Sequence, residues 1–205
     1  MAEWWDEFFL DQRNNQLIHR EIAEAADEEW MLFSEEECLE GISKGILQLK
    51  DDRNMLFKPS QVFNNQMTIY MPNSFFEEIN LREGNAKKGN RRLFQDNEAG
   101  VTFGLDWMDH EMNSEQVEDF LRMISLQAAQ LRPEMKIVNE VAIESNEQIL
   151  ACYEGLFLVE PTPYYQVVFL TSWHGKALLG SYQYKLEDAP LWYPLSYALL
   201  RSIRW

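Results

Sequence analysis

Four polar side chains, Asp106, Asp109, His110 and Glu111, lie between a predicted strand and a predicted helix. Carboxylates on one loop can converge on an oxygen-preferring cation, or act as a general acid and base. The pattern therefore admits a metal-dependent hydrolase that uses the loop at 106–111. A polar loop beside a helix N-terminus, where the helix dipole favours negative charge, explains the same residues more simply.

The other residue types that carry catalysis are isolated in the sequence. His19, His110 and His174 have no HxH or HxxxH spacing, whereas a zinc site needs three or four converging ligands. The sequence contains no Gly-x-Ser-x-Gly, no phosphate-binding loop and no dinucleotide-binding motif. Cys38 and Cys152 are far apart, and we expect Cys152 to be a reduced, buried side chain of an apolar strand. We therefore expect no cofactor, no metal and no enzymatic activity.

The strongest candidate for a binding segment is a group of four aromatic residues near the N-terminus: Trp4, Trp5, Phe8 and Phe9. Their spacing places all four on one side of a helix. Such a group, when fully buried, covers several hundred Å², at roughly 150–250 Å² for each ring. It either packs on the chain's own domain or inserts into a partner, so these residues are candidates for partner binding.

The only basic stretch forms a second candidate for partner binding. It spans residues 82–92 and contains Arg82, Lys87, Lys88, Arg91 and Arg92, separated by Gly and Asn. This composition predicts a loop, either solvated or binding an acidic partner. A third, weaker candidate is Tyr164 and Tyr165 with Trp173, for which core packing is the simpler account.

The chain is strongly acidic, with a formal net charge of −16. Residues 1–45 carry 13 acidic side chains against three basic ones. This charge disfavours nucleic acid and anionic membranes, which need a basic face; it favours a basic protein partner, or simply solubility. The sequence has no run of about 20 apolar residues and no basic, apolar leader at its start. We therefore expect a cytoplasmic protein, as a monomer or homodimer.

Apolar periodicity and turn residues predict the elements that must position these groups. Ser34 and Glu37 form a predicted capping box for a helix that runs to about Ile42, with Gly45 near its end. Short strands are predicted at 46–49, at 55–57 with a stop before Pro59, and at 67–71.

The second half of the chain has the clearest pattern. A hairpin at 93–107 precedes an amphipathic helix that is capped at 113 or 114 and ends before Pro133. Four strands joined by short polar turns follow at 136–143, 148–159, 164–173 and 176–186, which predicts an antiparallel meander. A closing helix begins near Asp188 and Pro190, with an apolar stripe of Leu195, Leu199 and Ile203.

This order of elements, together with the 67–72 strand that ends in Pro72, resembles the PsbP-like family over roughly residues 55–205. Trp192 and Ser202-Ile203-Arg204 stand where that family commonly has a tryptophan and a Ser-Ile/Leu-Arg in its last helix. The family includes an extrinsic photosystem protein, bacterial lipoproteins and a nuclear-import factor that binds the GTPase Ran. The resemblance implies an α+β fold: an α/β/α sandwich with a central antiparallel sheet.

Together these observations predict a sandwich domain at 55–205 preceded by an acidic, mostly helical extension at 1–54 that packs on it. The predicted function is a non-enzymatic, cytoplasmic protein-binding or accessory module, such as an immunity-like or secretion-accessory protein. Two alternatives stay open: the metal-dependent hydrolase and a carrier of an apolar small ligand between helix and sheet.

Overall fold

A computed structural model of the chain describes residues 31–49, 53–78, 90–158 and 161–205. Its first part holds one helix and a small antiparallel sheet of order β1-β2-β3. These elements are α1 (Glu35–Lys44), β1 (Ile46–Gln48), β2 (Asn54–Val62) and β3 (Met67–Pro72). The isolated pairing of Thr68 with Arg204 ties the C-terminus of the chain to β3.

Helix α1 begins and ends where its capping residues predict. Ser34 accepts a hydrogen bond from the Glu37 amide, and the Glu37 carboxylate accepts one from the Ser34 amide. Gly45 ends the helix at φ 76°, in the left-handed region that glycine enters at little cost. The buried side of α1, which includes Cys38 and Ile42, packs on the last helix of the chain.

Strand β2 is longer than predicted, because the prediction that it stops before Pro59 is wrong. Pro59 lies within the strand, opposite Tyr70 of β3. Strand β1 pairs only with the stretch from Asn54 to Leu56, so Pro59 has one strand neighbour. A proline lacks an amide hydrogen and is tolerated where a strand has an open side.

The second sheet has seven antiparallel strands in the order β4-β5-β6-β10-β9-β8-β7. The remaining elements are β4 (Phe76–Glu77), β5 (Arg91–Asp96), β6 (Val101–Glu111), α2 (Val117–Leu131), β7 (Met135–Ser145), β8 (Gln148–Phe157), β9 (Tyr164–Trp173), β10 (Lys176–Lys185) and α3 (Ala189–Arg201). The predicted four-strand meander is confirmed as β7 to β10. Its two tight turns, Asn146-Glu147 and His174-Gly175, have two consecutive positive φ angles, as a type I′ hairpin requires.

Helices cover both faces of the seven-stranded sheet, so the predicted α/β/α sandwich is confirmed. On one face, α3 lies among α1, the small sheet and the large sheet. It is therefore buried on nearly every side, including Trp192, Leu195 and Leu199. On the other face, α2 packs a smaller core through Val117 and Leu121. None of the described helices is long and apolar enough to cross a membrane.

The small sheet, α1 and α3 share one continuous hydrophobic core with the large sheet. Cys38, Ile42 and Leu47, which precede residue 55, are buried in it. The boundary predicted at residues 54 and 55 stays a prediction, as does the packing of residues 1–30, which lie outside the described residues. Within the part described, α1 and β1 are an integral layer of the sandwich.

Candidate functional site

Helix α2 covers only part of its sheet face. Its main sheet contacts are with β7, β8 and β9, and the core that it covers also includes Ala177 of β10. A helix is about 10 Å wide and neighbouring strands lie about 4.8 Å apart, so one helix covers two or three strands. In the described part of the chain, no helix packs extensively on β5, β6 or β10 on this side. Leu93, Met108 and Leu179 on these strands are consequently half-buried, whereas Ala177 of β10 is buried in the α2 core.

A cavity of about 390 Å³ lies where α2 meets this uncovered part of the sheet. Its apolar lining includes Ile124, Ala128, Leu131, Tyr153, Val168 and Leu179. Gly104 forms part of the floor, and a methyl group there would have only ordinary contacts, 3.8 Å from Ser181 Oγ and 3.9 Å from Leu93 Cδ1. The absence of a side chain at this glycine leaves the cavity open.

A second cavity of about 350 Å³ lies beside the first turns of α2. It is lined by Met112, Phe120 and Met123, and the ring of His110 stacks on Phe120 with centroids 4.9 Å apart. Residues 116, 120, 123, 127 and 131 of the two linings recur at helical spacing, so both cavities follow one side of α2. We call the two cavities together the α2 groove; α2 itself is about 22 Å long.

The C-terminal half of the α2 groove has two exposed cations on its rim, Arg91 and Arg132. Arg91 lies opposite Asp106 in the pairing of β5 with β6. Partial burial raises the pKa of the Asp106 carboxyl, and the charge of Arg91 opposes that rise. The Arg132 guanidinium lies 5.7 Å from the centre of the Phe157 ring. The C-terminal half of the groove therefore combines an apolar floor with two cations and one carboxylate, whereas Glu115 and Asp119 line the cavity beside the first turns of α2.

The two described members of the predicted basic stretch point to opposite faces of the sheet. Arg91 lies on the rim of the α2 groove, whereas Arg92 bonds Glu77 at 3.3 Å and lies 6.0 Å from the Phe63 ring. The alternation of side chains along β5 separates them. The other predicted partner-binding residues lie outside the described residues: Trp4, Trp5, Phe8, Phe9, Arg82, Lys87 and Lys88.

The expectation that residues 106–111 form a loop is wrong, because they continue strand β6. Pairing of Glu111 with Lys176 of β10 extends the strand past its predicted end at Trp107. Alternation then places Asp106 and His110 on one face and Asp109 and Glu111 on the other. Asp109 bonds Lys176 at 2.7 Å. Within the described ranges, no group of three His, Cys, Asp or Glu side chains could hold a metal ion.

A buried carboxylate, which the sequence analysis missed, lies on the opposite side of the sheet from the α2 groove. Glu154 is 3% exposed and accepts hydrogen bonds from the hydroxyls of Tyr165, Tyr193 and Tyr197. The Asn139 amide donates a fourth bond at 3.1 Å. One sequence signal could have found it: Glu154 occupies an inward position of β8, in line with Leu150 and Cys152.

The tyrosines around Glu154 stay protonated donors at neutral pH. Burial, followed by the nearby Glu154 charge, raises the pKa of Tyr165, Tyr193 and Tyr197 well above the usual range. Two of the three come from α3 and one from β9, so the carboxylate fixes the helix on the sheet. Its interactions are satisfied internally, which makes this cluster a structural element of the sandwich.

Comparison with solved structures gives the class of the fold. The chain is similar to the cyanobacterial PsbP protein (CyanoP) of Synechocystis sp. PCC 6803, with a TM-score of 0.54 and 11% sequence identity over 72% of this chain and 91% of that one. It is also similar to LpqN of Mycobacterium tuberculosis, a protein involved in cell envelope biogenesis, with a TM-score of 0.42 and 7% identity over 75% of this chain and 92% of that one. No family profile and no curated protein matches the sequence.

The protein is thus an α+β sandwich with a central antiparallel sheet. Its fold is PsbP-like, as the likeness to the cyanobacterial protein shows. The resemblance predicted from the order of elements is confirmed at the level of the fold. A fold by itself supplies no activity, so function has to be argued from the α2 groove.

Proposed function

We propose that the protein is a non-enzymatic accessory module that binds another protein through the α2 groove. The observation that carries this proposal is the uncovered part of the sheet beside α2, with its apolar floor and 390 Å³ cavity. An apolar groove along a helix is a common receptor for an amphipathic helix. Leu131, 82% exposed at the rim, is a further apolar contact that binding would cover.

The charges of the molecule indicate the kind of partner. The net charge of −16 would speed association with a partner whose surface is basic overall. Arg91 and Arg132 would select acidic positions on the part of the segment that enters the C-terminal half of the groove. The finer proposal is a cytoplasmic, immunity-like or secretion-accessory protein that holds such a segment of its partner.

Filling the groove tests this proposal directly. The Gly104→Phe variant places a ring in the cavity from a position where a Cβ has only ordinary contacts. The Ala142→Phe variant adds the same ring at an exposed position of edge strand β7 and is the matched control. Each tagged protein is used to capture partners from the source cells, and the purified partner is then titrated.

We expect Gly104→Phe to weaken partner binding at least tenfold, while its melting temperature and the affinity of Ala142→Phe stay near those of the wild type. Equal affinity of all three proteins for the purified partner would refute the groove as the binding surface.

A carrier of an apolar small ligand is the second candidate, because the same cavity lies between helix and sheet and has the volume of a small-molecule site. Native mass spectrometry of the freshly purified protein distinguishes the two functions. A ligand adduct that is lost in Gly104→Phe would favour the carrier. An unmodified mass together with a stable protein complex would favour the accessory module.

A further inference from the structure

We propose that residues 3–11 of the same chain occupy the α2 groove in the isolated protein. This inference deepens the proposed function and uses the same groove: a partner segment would have to displace this internal ligand. It names the chemistry that the C-terminal half of the groove selects, an acidic segment with large aromatic residues on one side.

Charge complementarity is the first argument. Residues 3–11 contain four acidic side chains and no basic one. The rim that faces them, at the C-terminal half of the α2 groove, would carry Arg91 and Arg132 against one carboxylate, Asp106. An acidic segment in this half of the groove would therefore meet two guanidinium groups and would stay clear of the half that Glu115 and Asp119 line.

The apolar surface to be covered is the second argument. The groove floor consists of half-buried residues such as Ile124 and Leu179, and Met123 and Leu131 on its α2 side are 45% and 82% exposed. Residues 4, 5, 8 and 9 are aromatic and share one side of a predicted helix. As a helix, nine residues are about 13 Å long, which fits within the 22 Å length of α2.

The tether is long enough. The described chain starts beside α3, where the Leu32 amide bonds the Pro190 carbonyl at 2.9 Å. The 19 residues from 12 to 30 can span up to about 60 Å when extended. A domain of this size is about 40 Å across, so the segment can reach the opposite face of the sheet.

A photo-crosslinker placed at Phe8 of the full-length protein tests the inference. The protein with p-benzoylphenylalanine at this position is irradiated at low concentration, and the monomer band is digested and sequenced by mass spectrometry. We expect crosslinks to α2 or to β10. A charge reversal, Arg91→Glu with Arg132→Glu, should lower their yield at least threefold, and adding Asp6→Lys with Glu7→Lys should restore it. Lys58→Glu, on the small sheet, is the control and should change nothing.

Three outcomes would overturn the inference: crosslinks to α1 or α3, crosslinks found only in a dimer band, and a crosslink yield that the charge reversal does not change. The dimer band would identify a second copy of the chain as the occupant. The result is separable from the proposed function. If Phe8 crosslinks to the groove while Gly104→Phe still binds the partner with full affinity, the proposed function is refuted and the internal ligand is supported.

Discussion

Replacing Tyr197 by Phe should destabilise the protein because it removes a single hydroxyl group. The Tyr197 hydroxyl donates to Glu154, which is 3% exposed and lies between β8 and α3. The substitution keeps the ring and removes only the donor. A hydrogen bond to a charged group contributes about 1.5–3 kcal/mol, and part of the loss is the buried oxygen left with fewer donors. For a chain of this length, we expect the melting temperature to fall by about 3–12 °C.

Tyr182 provides the matched control for this prediction. It is 1% exposed on the same side of the sheet, but its hydroxyl has no hydrogen-bond partner in the described structure. The Tyr182→Phe variant removes a buried, unsatisfied hydroxyl and should be neutral or slightly stabilising.

Urea unfolding followed by tryptophan fluorescence gives the free energy of unfolding for both variants. The comparison is valid if the dependence of that free energy on urea is unchanged. Similar losses in Tyr197→Phe and Tyr182→Phe would show that ring packing, and not the bond to Glu154, decides the effect. A neutral Tyr197→Phe would refute the reasoning outright.

Three further predictions concern glycines, a groove carboxylate and the thiols. Gly180→Ala should lower the free energy of unfolding by about 1–3 kcal/mol through overpacking, because its Cβ would lie 2.3 Å from a buried phenylalanine ring. Gly104→Ala should change it by less than about 0.5 kcal/mol. Urea unfolding measures both variants, and equal losses would contradict the packing argument. Burial raises the pKa of Asp106 in the folded protein above its value near 4 in the unfolded chain. Above the folded-state pKa, the ionised carboxylate therefore lowers the stability of the protein. Below about pH 4 the carboxyl is protonated in both states and has no such effect. Asp106→Asn should therefore raise the melting temperature by about 1–2 °C at pH 7, and the gain should vanish as the pH falls through 4; a gain that is constant with pH would contradict this. Burial raises the pKa of Cys38 and Cys152 to about 12. Neither thiol should therefore react with a thiol reagent at pH 8 until the protein is unfolded in urea. Rapid reaction of the native protein would show that the thiols are not fully buried.

Local signals predicted most of the regular elements. The Ser34–Glu37 capping box and Gly45 delimit α1, and the two-residue turns at 146 and 174 set the strand pairs of the meander. These features are predictable because each depends on residues a few positions apart. The predicted strand ends were wrong where pairing with a distant strand sets the length of a strand. Strand β6 extends to Glu111 because β10 pairs with it. Strand β2 runs through Pro59 because only β3 lies beside that residue.

The candidate site was less accessible to sequence reasoning. Arg91 was predicted as a partner-binding residue, but Arg92 carried the same prediction and only its position in β5 separates the two. The groove itself has no sequence motif, because it exists only where α2 ends its contact with the sheet. Glu154 was missed because its four hydrogen-bond donors come from β7, β9 and α3.

The sequence by itself determined the order of elements, the antiparallel meander, the acidic charge and the aromatic segment at residues 4–9, since all of these follow from neighbouring residues and composition. Only the tertiary structure decided that, among the described elements, α2 packs mainly on β7, β8 and β9 and leaves a groove beside them, and that a carboxylate fixes α3. The physical reason is that coverage and burial are set by contacts between elements far apart in the chain. Periodicity identifies the apolar side of a helix, but it cannot say how much of a sheet that helix will cover.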